Sequence, residues 1–99
     1  MGNRFTWDEV KRETNLNKHN LDFCDAGWVL DSRYRMDIAV TRNGERRIQS
    51  MAYVVDVLAV LLVVHTPRNN TVRVISFRRA STAEREAYHE WLEEEDDSR

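Results

Sequence analysis

The stretch Val72–Tyr88, VRVISFRRASTAEREAY, decides the fold. Val72, Val74, Ile75 and Phe77 are the β-branched and aromatic residues that suit a sheet. Ser81-Thr-Ala-Glu84 then spells a capping box, so a strand over Val72–Arg79 runs straight into a helix over about Thr82–Glu93. Ala83, Ala87, Tyr88 and Trp91 form that helix's apolar stripe. Arg73, Arg78 and Arg79 place three guanidiniums within seven residues, beside a helix N-terminus. Planar cations and free N–H groups both suit a phosphate. In a regular strand, Arg73 and Arg79 share one face and Arg78 takes the other.

Upstream, Leu58–Thr66 is apolar on both faces, which marks a central strand covered on both sides. Pro67–Asn70 is the turn between these strands. Arg46–Val54 and Arg33–Thr41 read as two further strands, joined through Asn43-Gly44, the strongest short hairpin signal. The apolar run Met51–Val64 is too short to cross a membrane, for which about 20 residues are needed, and Asp56 interrupts it. Two strands with a turn near Val55-Asp56 fit it better.

Two helices precede the strands. Thr6 and Glu9 spell a capping box, with Phe5 and Val10 as its hydrophobic staple, for a helix over about Trp7–His19. Asn20 suits a left-handed helix end. Asp22 caps a second helix, about Phe23–Leu30, after a very short connection, giving an αα-hairpin. The expected fold is therefore α+β: two N-terminal helices, a four-stranded antiparallel meander and a C-terminal helix. The helices are expected on one face of the sheet, leaving the other free.

The chain has 99 residues, enough for one small domain, with an acidic tail at about 94–99 that should fray. Cys24 is the only cysteine, so neither an internal disulfide nor a cysteine metal cluster forms, which suits a reducing cytosol. The N-terminus has no apolar signal-peptide region. The net charge of −2 hides an asymmetry: Glu90–Arg99 hold six acids and one base, while residues 1–89 hold 14 bases and 11 acids. Arginine outnumbers lysine 13 to two, a usage that favours planar recognition of phosphate or carboxylate.

Phe5-x-Trp7-Asp8-x-x-Lys11, Asn15-x-x-Lys18-His19 and Asp22-Phe23-x-x-Ala26 resemble the start of BrnT-type toxins. Gly44-Glu45-x-Arg47, His65-Thr66, Arg73-x-Ile75-Ser76-x-Arg78-Arg79-Ala80 and Glu84-Arg85-x-x-Tyr88 resemble the rest of that family's pattern. Asn20 stands where the family usually has Gly, Gln49-Ser50-Met51-Ala52 where a strand usually ends in Ile-Gly or Leu-Gly, and Leu58-Ala59 where it usually has Gly-Arg. The resemblance implies a RelE-like fold and an endoribonuclease toxin that blocks translation. It also implies a BrnA-like antitoxin partner with a ribbon-helix-helix DNA-binding part, whose complex represses its own operon.

Metal-free RNA cleavage needs a base for the ribose 2′-hydroxyl, an acid for the leaving oxygen and cations for the phosphorane. The candidate catalytic residues are His65, Arg78 and Arg79, and the candidate RNA-binding residues are Lys11, Lys18, Arg47, Arg73 and Ser76. Each has a structural alternative: a core bond for His65, an ion pair for one of the arginines, a solvated face for Lys11 and Lys18. His19 reads first as a helix-end residue and His89 as surface. No metal, cofactor or membrane is required, and no EF-hand, P-loop or zinc pattern is present. Two readings stand: an endoribonuclease toxin, and a catalytically weak module that binds an antitoxin or nucleic acid without cleaving it.

Overall fold

The computed structural model describes residues 4–97. Asn43 and Gly44 both take positive φ, 53° and 77°, so the two-residue turn matches the twist of the strands it joins. It links β2 (Met36–Arg42) to β3 (Glu45–Val54). β3 pairs with β4 (Ala59–Arg68), and β4 with β5 (Thr71–Arg79), all antiparallel. At the far edge, β1 (Arg4–Thr6) runs parallel to the start of β5. The sheet is five-stranded and mixed, in the order β1-β5-β4-β3-β2. The meander is as expected from the sequence, but a fifth strand precedes it. Three residues are too few to show an alternation, and the Thr6–Glu9 spacing reads as a helix cap.

Asp8, not Thr6, caps α1 (Glu9–His19): its carboxylate accepts from the N–H groups of Val10 and Lys11. Phe5 is freed from the staple and packs from β1 onto the core. Asn20 ends α1 at φ 58°, as its residue type suggests. Asp22 caps only a 3-10 turn at Phe23–Asp25, after which α2 is the short piece Gly27–Leu30. Both halves of the Ser81 box form: Glu84 N–H donates to Ser81 Oγ (3.2 Å), and Ser81 N–H to Glu84 Oε1 (2.8 Å). The helix they start, α3, runs Thr82–Asp97, through most of the tail expected to fray.

The helices lie on both faces of the sheet, not one. Leu61 and Val63 of β4 point into a core with Phe23, Val29, Ala52, Val74 and Phe77, on the side of α1 and α2. Val60 and Leu62 point the opposite way, into a second core with Met36, Met51, Tyr88, Trp91 and Leu92, roofed by α3. The two-sided apolar pattern of β4 required this. On α3 the packing stripe is Tyr88, Trp91 and Leu92, while Ala83 and Ala87 are exposed. Tyr88 also ties the layers together, donating to Tyr34 O (2.7 Å) and accepting from Tyr53 N–H (3.3 Å). No helix among the described residues is long and apolar enough to cross a membrane.

Candidate functional site

One bulge arranges the site. On β5, Val74 stands opposite His65 and Ser76 opposite Val64, so Ile75 is an extra residue and the alternation resets there. Val74 and Phe77, three apart, therefore fall on the α1–α2 face together. Arg73 pairs with Thr66 and Arg78 with Leu62, which puts both on the α3 face. Arg79 pairs with Leu61 and takes the opposite face. The sequence expectation, Arg73 with Arg79 and Arg78 alone, is thus overturned by a single inserted residue that no pattern announces.

β1 pairs with β5 only as far as Arg73. Beyond it, α1 runs alongside the open edge. Asn15, buried in α1, donates to Phe77 O (2.8 Å) and accepts from Phe77 N–H (3.2 Å), as a neighbouring strand would. Its amide donates also to Leu21 O (3.1 Å). This clasp leaves a groove of about 290 Å³ between α1 and β5, lined by Val10, Lys11, Thr14, Lys18, His19 and Ser76 together with Asn15 and Ile75. Lys11, Thr14, Asn15 and Lys18 recur at helical spacing, so one side of α1 supplies the wall. Lys11, Lys18 and Ser76 were candidates from the sequence, and the fold brings them together.

The histidine in this groove is His19, not His65. Its imidazole is partly exposed, and partial burial together with the charges of Lys18 and Arg78 holds its pKa below the usual 6.5. A neutral ring beside two lysines can take a proton while the cations hold an anion. The signal was in the sequence: His19 stands eight positions after Lys11, on the same helical stripe.

His65 lies outside the groove, on the α1–α2 face of β4 opposite Val74, and is only 5% exposed. Its Nε2 is 2.8 Å from Ser50 Oγ, and that hydroxyl donates to Asp37 Oδ1 at 2.6 Å. A hydroxyl has one proton and a carboxylate only accepts, so His65 carries its proton on Nε2. Burial, reinforced by the charge of Arg35, lowers its pKa against the pull of Asp37. Arg35 joins the network by donating to Leu30 O and Asp37. These residues bind α2 to three strands.

Arg78 forms a two-pronged bond to Glu84 (2.8 and 2.9 Å), the carboxylate that also caps α3. Glu84 is pulled down to about 2, chiefly by that guanidinium. Arg78 is thus the arginine paired with a neighbouring carboxylate. Arg79 is exposed on the α1–α2 side. Arg47 and Arg73 occupy the end of the α3 face that the second core does not reach, Arg47 bonded through Nε to Glu45 (3.0 Å). Among the described residues, no three His, Cys, Asp or Glu side chains converge as metal ligands would.

The fold and the groove define a small α+β protein with a cationic cleft at an open sheet edge. The family model for the ribonuclease toxin BrnT of type II toxin–antitoxin systems matches residues 7–84, and the chain belongs to that family. No individual curated relative matches the sequence.

Proposed function

We propose that this toxin is a metal-independent endoribonuclease that cuts single-stranded RNA in the α1–β5 groove and thereby blocks translation. The observation that carries the reading is the placement of a neutral, partly exposed His19 beside Lys11, Lys18 and Ser76. His19 takes the proton of the ribose 2′-hydroxyl. The 2′ oxygen bonds to phosphorus, the bond from phosphorus to the 5′ oxygen breaks, and the leaving oxygen takes a proton from water. The products are a 2′,3′-cyclic phosphate and a 5′-hydroxyl. Lys11 and Lys18 offset the charge that grows on the phosphorane, and Ser76 donates to one of its oxygens. Val10, 71% exposed, and Ile75 offer an apolar wall for a base.

Membership of a type II system implies an antitoxin partner. The reading extends this to a BrnA-like antitoxin, with a ribbon-helix-helix DNA-binding part, that covers the groove in the cytoplasm. A second reading, a toxin-like module that binds without cleaving, draws on His65 and Arg78, both held in internal bonds. Labelled RNA incubated with the purified protein, with and without EDTA, separates the two. Cleavage should persist in EDTA, fail on a 2′-deoxy substitution at the cut position, and fall about 10²- to 10⁴-fold in His19→Ala. Cleavage abolished by EDTA and restored by Mg²⁺, or an unaffected His19→Ala, overturns the proposed chemistry. No cleavage by the folded parent protein leaves the binding module.

A further inference from the structure

The α3 face holds one buried polar group that the groove does not use. Thr66 is 3% exposed, and its Oγ1 has no hydrogen-bond partner among the described residues. A buried hydroxyl normally finds one, and leaving it unmet costs about 1–3 kcal/mol. Its neighbours explain what could meet it. Across β5, Thr66 pairs with Arg73. Across β3, it stands one step beyond the Ile48–His65 pair, at Arg47. The row Arg47–Thr66–Arg73 thus sets a lone hydroxyl between two arginines on adjacent strands, about 5 Å to either side. Arg68 is two residues along β4, and Arg42 pairs with Glu45 at the same end. Glu45 is the carboxylate in the group, bonded to Arg47 and 3.9 Å from Arg68. Four guanidiniums around one carboxylate leave a strong excess of positive charge.

We propose that Arg47, Thr66 and Arg73 form a second anion site that takes a backbone phosphate of the RNA, flanking the phosphate in the α1–β5 groove. The assignment rests on the RNA reading of that groove. Thr66 supplies the short-range donor, and the arginines clamp the equatorial oxygens. Ser76 links the two sites: it lines the groove, and its register opposite Val64 puts it on the face of Arg73, three positions along β5. That separation is at most about 10 Å, within reach of one short stretch of single-stranded RNA.

The test measures binding of a non-cleavable 2′-O-methyl oligonucleotide by fluorescence anisotropy across a salt series, so cleavage plays no part. Thr66→Val keeps the shape and removes the donor. It should weaken binding about tenfold with no loss of melting temperature, while Thr66→Ser keeps the parent affinity. Arg73→Ala should weaken binding and flatten the salt slope by about 0.7, one single-strand phosphate contact. Parent affinity and slope in Thr66→Val and Arg73→Ala, with binding lost in Lys11→Ala and Lys18→Ala, overturn the second site and leave the groove standing. Parent affinity in all four variants overturns the RNA reading of the groove itself.

Discussion

Leu58 sits at φ 56° with its side chain 75% exposed, in the turn between β3 and β4. The left-handed region costs a non-glycine residue about 1–2 kcal/mol, and an exposed leucine recovers little by packing. The family pattern usually has glycine there. Leu58→Gly should therefore raise the melting temperature, by about 1 kcal/mol of stability net of glycine's own entropy cost, in a thermal melt. Asn20 also keeps a left-handed backbone, φ 58°, where the family pattern usually has glycine, but asparagine tolerates it, so Asn20→Gly should change stability little. His19 carries the second prediction at this scale. A base works in its neutral form, so cleavage should rise with pH through a midpoint below 6.5. Removing a neighbouring positive charge eases protonation. Lys18→Ala should shift that midpoint to higher pH, whatever it does to the maximal rate, in a pH–rate profile.

The open edge of β5 is the element on which most depends. A bare edge strand pairs with other chains, and here α1 blocks it through the carboxamide of Asn15. Asn15→Ala strips partners from Phe77 N–H, Phe77 O and Leu21 O at once. It should cost about 2–4 kcal/mol and bring concentration-dependent self-association, visible in denaturant melts and in sedimentation. In the sequence, Asn15 was one member of a family motif, with nothing to mark it as buried. The Ile75 bulge was equally silent, because VRVISF reads as an unbroken β run. By contrast, the Asn43-Gly44 turn and the Ser81–Glu84 box were legible, since each is closed by neighbours a few residues apart.

At the scale of the whole molecule, two carboxylates fasten the helices. Asp22 accepts two bonds from Arg12 of α1 and is lowered to about 2, and Glu84 is held as low by Arg78 of β5. Their ordinary values are 3.8 and 4.5. A carboxylate held low in the folded state stabilises above its unfolded value and loses that contribution as pH falls through the folded one. Stability should therefore decline between about pH 4.5 and pH 2. Asp22→Asn with Glu84→Gln should be less stable at neutral pH and show a flatter decline over that window, measured by urea melts at stepped pH. Leu61, with no exposed surface in the core between β4 and α2, gives the coarser check: Leu61→Asp should unfold the protein.

The sequence alone determined what local chemistry can settle: the α+β class, the meander from β2 to β5, the Asn43-Gly44 turn, the Ser81–Glu84 cap, and the family. It also contained the cations Lys11, Lys18 and Ser76's strand, because helical and strand spacing are short-range rules. Only the tertiary structure decided which of them meet. The parallel pairing of β1 spans most of the chain, and the two-sided helix packing follows from how β4 is covered. A one-residue bulge sent Arg73 to the α3 face and Arg79 away from it. Burial took His65 into a bond with Ser50 and left His19 at the groove. Register and burial are set by contacts between residues far apart in the chain, and no local pattern carries them.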